Sequence, residues 1–557
     1  MDTIERSWDG LSPNVDQRSK KSLLSGIPFN RSLLPILIGL SIFIDGSARG
    51  QQATTDWTPF SDNSLPELRP NVLPPNIPLR KPDEPSLVIL PSLEVDESFT
   101  DNALGTSSNR RADFYTTVSP DLFVSDQSAR LQGFLNLNPQ VIYYAENSSQ
   151  NQTIVNAQTN GTAVVIPERL FFDAQGSAGE VARSGLQGFG NQVQIPANDR
   201  VQQYSYSASP YAFIPFDRST SAEVRYRISQ VLFNGNTGAT ISPLTGLPLA
   251  PISNSTEHEG FAKLKTTALS DRVLLSLTGD YVDFLAPGTE FSSQNLTIAA
   301  GASYLIGHAL WATGSFGFER LIFPDIPRLN FTGPTWEVGG RYAPSDTRLA
   351  ALSFGSYEGR LGFRGDLKYA ITPIVSVFAT YSQQIQTPQQ AVIQNLPLQA
   401  QSTPGTTLNE LTGLPLNISN PNFGLQNGIF YTKSLQAGAS YALGRNNVAL
   451  TFNYENDQEL AGASPSQSSV GGEIILSHEV SPKTVASGVA GYSTVSEAAF
   501  GGLPSSTGRV ATVGLGLTYS ITPTFQASAN YAFQYTSGNL VTPIFVDLVT
   551  LGLRKTF

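Results

Sequence analysis

From Ser86 onward the chain alternates between apolar and polar positions. Residues 447–455 place Val448, Leu450, Phe452 and Tyr454 on one side and Asn447, Ala449, Thr451, Asn453 and Glu455 on the other. Residues 525–535 set Phe525, Ala527, Ala529, Tyr531, Phe533 and Tyr535 against Gln526, Ser528, Asn530, Ala532 and Gln534. Residues 360–369 set Leu361, Phe363, Leu367 and Tyr369 against Arg360, Arg364, Asp366 and Lys368. Side chains of a strand point alternately to its two faces, so each segment reads as a strand with one apolar and one polar face. The repeats run to about ten residues, the length of a membrane-crossing strand, whereas soluble strands usually run about five or six.

Short turns punctuate these strands. The stretches 369–373 and 519–523, YAITP and YSITP, are near-identical, and EVSP at 479–482 is related; each ends in a proline that cannot continue a ladder. Similar tight turns fall at 216–219, 270–272, 306–308, 344–346 and 444–446, and longer connections at 233–257, 322–331, 387–428, 459–465 and 495–507. Short turns on one rim and long loops on the other describe an outer-membrane barrel. The expected fold is therefore an all-β, transmembrane, antiparallel up-and-down barrel of about 20 strands (about 18–22), occupying 86–557. Both ends would lie in the periplasm, which demands an even strand number. Residues 146–200 break the pattern and read as a long loop carrying one short strand around Arg169 to Gln175, folded over or into the lumen.

Composition narrows the class. Of 557 residues only 14% are charged while 40% are hydrophobic, against about 25% charge in a soluble protein. No apolar run is long enough for a spanning helix. With no cysteine, disulfides and thiolate metal sites are excluded. The three histidines, His258, His308 and His478, are far apart, so no metal or other cofactor is implied, and the net charge of −10 argues against nucleic acid as a partner. No serine–histidine spacing supports a hydrolase, so the chain reads as non-enzymatic.

Two segments precede the barrel. Residues 33–44, LLPILIGLSIFI, follow Lys20, Lys21 and Arg31 and precede Gly46-Ser47-Ala48, the layout of a signal peptide, here with a long N-terminal extension (1–50) and cleavage after Ala48 or Gly50. Residues 51–85 carry eight prolines and read as an extended periplasmic linker or as a strap that enters the barrel mouth.

The last strand, 541–557, alternates Phe545, Asp547, Val549, Leu551, Leu553, Lys555 and Phe557 on one face. Thr550, Gly552 and the terminal Phe557 resemble the C-terminal assembly signal of bacterial outer-membrane barrels, which implies the barrel-assembly machinery and outer-membrane lipids as partners; Lys555 stands where an apolar residue is usual. Further motifs, ESFTDN at 97–102, ADF at 112–114, VSP at 118–120, ERLFFDA at 168–174, SPY at 209–211 and EVRY at 223–226, resemble a family of outer-membrane β-barrels associated with exosortase (PEP-CTERM) and exopolysaccharide loci in Gram-negative bacteria. The resemblance implies an outer-membrane location and polysaccharide or periplasmic export components as partners; it supplies no activity.

A porin-like channel follows as the leading function, with a docking barrel as the alternative and an outer-membrane hydrolase behind both. The register puts Glu223, Arg225, Arg227, Lys263, Lys265, Arg360, Arg364, Asp366 and Lys368 on the lumen side. They form either a basic stripe that favours anionic sugars or a set of ion pairs bracing the wall.

Overall fold

The computed structural model describes residues 86–183, 200–235, 237–241, 248–345, 348–372, 374–396, 399–403, 406–409, 425, 427–462, 464–499 and 501–557. The signal-peptide and proline-segment readings lie outside them. In chain order the strands are β1 (Leu87–Thr100), β2 (Asp113–Gln127), β3 (Leu131–Tyr144), β4 (Gln152–Ile166), β5 (Leu170–Ala182), β6 (Arg200–Pro215), β7 (Thr220–Gly235), β8 (Thr240–Ile241), β9 (Pro248–Leu249), β10 (Ser255–Ser270), β11 (Val273–Leu285), β12 (Ser293–Ile306) and β13 (Leu310–Ile322). They continue as β14 (Phe331–Ser345), β15 (Arg348–Tyr357), β16 (Arg360–Thr372), β17 (Val375–Gln386), the helix α1 (Pro388–Asn395), β18 (Gln399–Thr403), β19 (Thr406–Asn409), β20 (Gly428–Leu443), β21 (Asn446–Gly462), β22 (Gln467–Ser481), β23 (Thr484–Glu497), β24 (Ser506–Thr522), β25 (Phe525–Gly538) and β26 (Ile544–Thr556).

Twenty-two of these form one antiparallel barrel; β8–β9 and β18–β19 are small separate ribbons. The barrel closes where β1 pairs with β26, from Ser92↔Thr556 to Thr100↔Leu548. Hydrocarbon offers no partner to an unpaired peptide group, so closure is what allows a sheet to span a membrane. Side chains reinforce this junction. Arg554 on β26 reaches past Ser92 to the Asp121 carboxylate on β2 at 2.6 Å, Thr550 bonds Ser98 at 2.9 Å, and the Phe557 N–H donates to Pro91 O. Gly552 sits where a side chain would run into Asp96 and Ser528. The residues that the sequence reads as an assembly signal thus sit at the closure. Lys555 donates to Thr524 at the rim, at 2.8 Å, as a snorkelling lysine does.

The outward face is apolar. Leu361 (63% exposed), Phe363 (49%), Leu551 (60%) and Phe557 (72%) all point away from the barrel, with the register the alternation predicts. Exposed aromatics gather in two belts. Tyr304, Tyr342, Tyr441 and Tyr519 lie near the short turns, and Phe114, Tyr143, Tyr281 and Tyr492 lie toward the other rim. Such girdles mark the two membrane interfaces.

The turns divide as expected. Connections such as 271–272, 307–309, 444–445, 482–483 and 523–524 are short, while those from β1 to β2, β5 to β6, β7 to β10 and β17 to β20 are long. β1 begins and β26 ends on the short-turn rim. The strand number, 22, lies at the upper edge of the expected range. Residues 146–200 are corrected: they contain two full wall strands, β4 and β5, joined by a short turn, not a loop with one short strand. Parity stays even because two strands, not one, join the wall. β4 was illegible because its outward positions, Thr153, Val155, Ala157, Thr159, Gly161 and Ala163, are small and weakly apolar.

Replacing outward Phe363 with Arg should cost about 2–4 kcal/mol in denaturant unfolding from lipid vesicles. Asn453→Arg, on the inner face of β21, should change stability by less than about 1 kcal/mol; equal losses at both would contradict the register.

Candidate functional site

The inner wall between β5 and β10 gathers the strongest charges. Asp173 on β5 accepts from Thr162 at 2.7 Å and from Arg225 Nη1 at 2.9 Å. Arg225 Nε also reaches Glu223 at 3.1 Å, and its guanidinium lies 4.0 Å above the Tyr211 ring. One step toward the long-loop rim, Arg227 pairs with Glu257 at 3.5 Å and with Glu259. Lys263 is buried on the same face of β10, and Lys265 faces the Phe213 ring at 6.0 Å. Arg225 and Arg227 are therefore each matched by two carboxylates, and this part of the stripe is an alternating charge network. Asp173, Glu257 and Glu259 were not singled out in the sequence. The two glutamates carry the same i, i+2 signal as the lysines, and Asp173 falls in the short strand that the sequence places in a loop rather than in the wall.

Neutral polar groups continue the wall. Asn136, Gln158, Gln175, Gln203, Ser207 and Ser229 occupy buried inner positions of β3 to β7. Apolar inner clusters lie instead at the long-loop rim. Val201, Val231, Phe233, Ile252 and Phe284 pack with Val392, Ile393 and Leu425. Tyr115, Ile142, Tyr144 and Ile154 form a second cluster with Leu548.

The first cluster is built by the loop from β17 to β20. Thr387 caps α1: its side chain accepts from Gln390 N–H at 3.2 Å and Gln390 Oε1 accepts from Thr387 N–H at 3.0 Å, with Pro388 at the first helical position. This capping box and N-terminal proline are a recognisable helix start in the sequence. α1 leaves β17 and docks on β6 and β7, with seven wall strands, β10 to β16, between them along the shorter arc. Gln389 Nε2 donates to Asn427 Oδ1 at 3.0 Å and to Ser253 O at 3.4 Å, which holds the helix against the far side of the mouth, above Glu257.

The wall bends to allow this. The β16–β17 ladder stops at Gly365↔Tyr381, although both strands run on. Gly428 to Thr432 of β20 are buried on both faces. Arg360 and Gly362, on the inner face of β16, meet the outer face of the neighbouring pair. Arg360 lies 4.5 Å over the Tyr431 ring, and Gly362 leaves room for the Gln383 amide. Tyr431 OH donates to Gln383 Oε1 at 2.7 Å. Above this seam the β13–β14 connection packs Phe323 and Ile326 on Ile429 and Ala461, and Arg328 donates to Leu460 O at 3.0 Å. The upper ends of β17 and β20 are thus turned into the barrel, carrying α1 across its mouth. Arg364 faces the Tyr357 ring at 3.9 Å, and Asp366 bonds Thr380. Lys368 stays on the inner face near the short-turn rim.

Glu358 secures the seam from the β15–β16 turn. Glu358 and Gly359 both have positive φ, 51° and 75°, a two-residue hairpin turn in which glycine relieves strain at the second position. The Glu358 carboxylate accepts from Ile385 N–H, a peptide group left free by the interrupted ladder, and its own N–H donates to Glu319 at 2.8 Å. Burial, with repulsion from Glu319 added, pushes this carboxyl from 4.5 up to about 8, against the pull of the Ile385 N–H, Arg364 and Arg360.

Comparison with known proteins adds little at the level of family. The family model described as "Putative MetA-pathway of phenol degradation" matches residues 412–541, 130 of the 557 residues. No curated protein matches. Among solved structures, the chain is similar to the FrpB iron transporter of Neisseria meningitidis (9% identity, 84% of this chain and 81% of that one, TM-score 0.44). It is also similar to the siderophore receptor PirA of Acinetobacter baumannii (10%, 84% and 80%, 0.37) and to OccK5 (OpdH) of Pseudomonas aeruginosa (8%, 84% and 98%, 0.30). The assignment as a membrane-spanning β-barrel rests on the closed ladder and apolar belt of this chain.

Because Glu358 is protonated more readily in the folded barrel, its contribution to stability is complete below pH 4.5 and fades as the pH rises through about 8. Heat-unfolding midpoints of the wild type should fall across that window, and Glu358→Gln should flatten the fall. An unchanged slope in the variant would contradict the burial of this carboxyl in the seam.

Proposed function

We propose that this protein is a non-enzymatic channel of the outer membrane whose mouth is gated by the inward-turned segment from β17 to β20. The observation that carries the reading is α1 docked across the mouth above a polar inner wall. The short-turn rim, where the barrel begins and ends, faces the periplasm on this reading. Assembly at the closing strands falls to the barrel-assembly machinery.

The solute we assign is a neutral or weakly charged sugar chain, in keeping with an exopolysaccharide export setting. Amide and hydroxyl side chains on β3 to β7 exchange hydrogen bonds with sugar hydroxyls at little net cost, so a chain can slide along them. The charged pairs of Arg225 and Arg227 compensate one another, which leaves little net field to trap an ion. A second reading, a small aromatic solute, draws on the phenol-degradation description of the matching family model and on the stacked Phe171–Tyr211 pair, 5.0 Å between centroids.

Planar-bilayer recording tests the proposal. Wild-type barrels should conduct little, and the double change Val392→Asp/Ile393→Asp, which places charge in the apolar dock, should raise conductance severalfold. Oligosaccharide added to the open variant should block current in a length-dependent way. Block by phenol alone would favour the second reading. A silent, folded double variant would reject the channel and leave a docking barrel.

A further inference from the structure

The seam exposes a feature that a lipid-facing wall does not need. Outward positions of a membrane strand are ordinarily apolar, and a cation there is costly. Yet the outer halves of β17 and β20 carry Tyr381, Gln383, Tyr431 and Lys433 on that face, as the pairings Tyr381↔Leu435, Gln383↔Lys433 and Ile385↔Tyr431 show. Two cations from different elements converge on one ring. Arg360 of the β15–β16 hairpin lies 4.5 Å from the Tyr431 centroid, and Lys433 lies 5.5 Å from it. Neither makes an ion pair among the described residues. Glu358, which feels the Arg360 charge, spends its hydrogen bond on the Ile385 N–H, and Glu459 lies by Arg328 and accepts from Ser464 N–H.

Height in the membrane selects the occupant. Counting from the turn at 444–445, at about 3.3 Å per residue and a tilt of about 40°, Lys433 stands roughly 28 Å above the short-turn rim, just beyond an apolar band about 25 Å tall. That is headgroup level on the long-loop side. A guanidinium and an ammonium that share one aromatic ring, both half-buried where the β16–β17 ladder is interrupted, match a phosphate on an amphipathic lipid.

We propose that Arg360, Lys433 and the Tyr431 ring form a binding site for the phosphorylated headgroup of an outer-leaflet lipid. The guanidinium and ammonium donate to phosphate oxygens, and the acyl chains lie along the neighbouring outward residues, Leu361 and Phe363 of β16. Because Tyr431 belongs to the inward-turned segment and Arg360 to the fixed hairpin, an occupied site ties the two layers together.

The test uses the full barrel in phosphatidylcholine vesicles and measures its heat-unfolding midpoint. Bisphosphorylated lipid A, the same lipid with its phosphates removed, and inorganic phosphate are added separately. Wild type should be stabilised by the phosphorylated lipid alone. In Arg360→Gln/Lys433→Gln the lipid concentration needed for half the shift should rise about tenfold or more. The charge-keeping pair Arg360→Lys/Lys433→Arg should retain binding, which separates lost charge from lost folding. Arg320→Gln, a change of an exposed cation on β13 outside the seam, should leave the response intact. Equal response of wild type and the Gln pair would overturn the site. Equal protection by inorganic phosphate would overturn the lipid and assign the site to a soluble phosphate.

Discussion

Everything in this molecule depends on pairing peptide groups where no water can. A sheet in hydrocarbon must close on itself, and this one does so through nine residue pairs between its first and last strands. Closure then dictates the rest. Outward positions must be apolar, inward ones are free to be polar, and the two faces alternate along every strand. The Arg554–Asp121 bridge and the Thr550–Ser98 bond sit on the same junction. β26 is therefore both the closing strand and the lock.

The same constraint gives meaning to the place where it is relaxed. Between β16 and β17 the ladder stops while the strands continue, and a buried carboxylate takes over one of the vacated peptide hydrogen bonds. An interruption of this kind is tolerated only where protein replaces lipid as the neighbour. Here the β15–β16 hairpin and the β13–β14 connection supply that cover. In return the wall gains a segment that leaves the barrel surface and delivers α1 to the opposite side of the mouth. The break in the ladder and the closure of the mouth are two ends of one deformation.

Much of this was legible in residue order. Alternation identified the strands, proline-ended turns identified the short rim, and Leu361 and Phe363 face outward as their period requires. The inner-face positions of Arg225 and Arg227 also follow from period alone, but their pairing with Asp173, Glu257 and Glu259 does not, because those partners come from neighbouring strands whose register is a property of the whole sheet. β4 was lost because small outward residues in a wide, gently curved wall satisfy lipid without a strong hydrophobic signal. The capping box at Thr387 could have marked α1, yet nothing local shows which wall a loop helix will reach. The seam was illegible for a deeper reason. Gln383 and Lys433 on an outward face look like exceptions until the hairpin that covers one and flanks the other is in view.

α1 lies across the mouth, and the chain's lack of cysteine allows a direct measurement of that placement. Single cysteines at Val392 and Val231, which share one apolar cluster, should be joined by a short bismaleimide in intact outer membranes. A membrane-impermeant thiol reagent added outside the cell should label Val392→Cys poorly. Ready labelling of that cysteine, with no cross-link to position 231, would show the helix to lie outside the barrel and contradict the account.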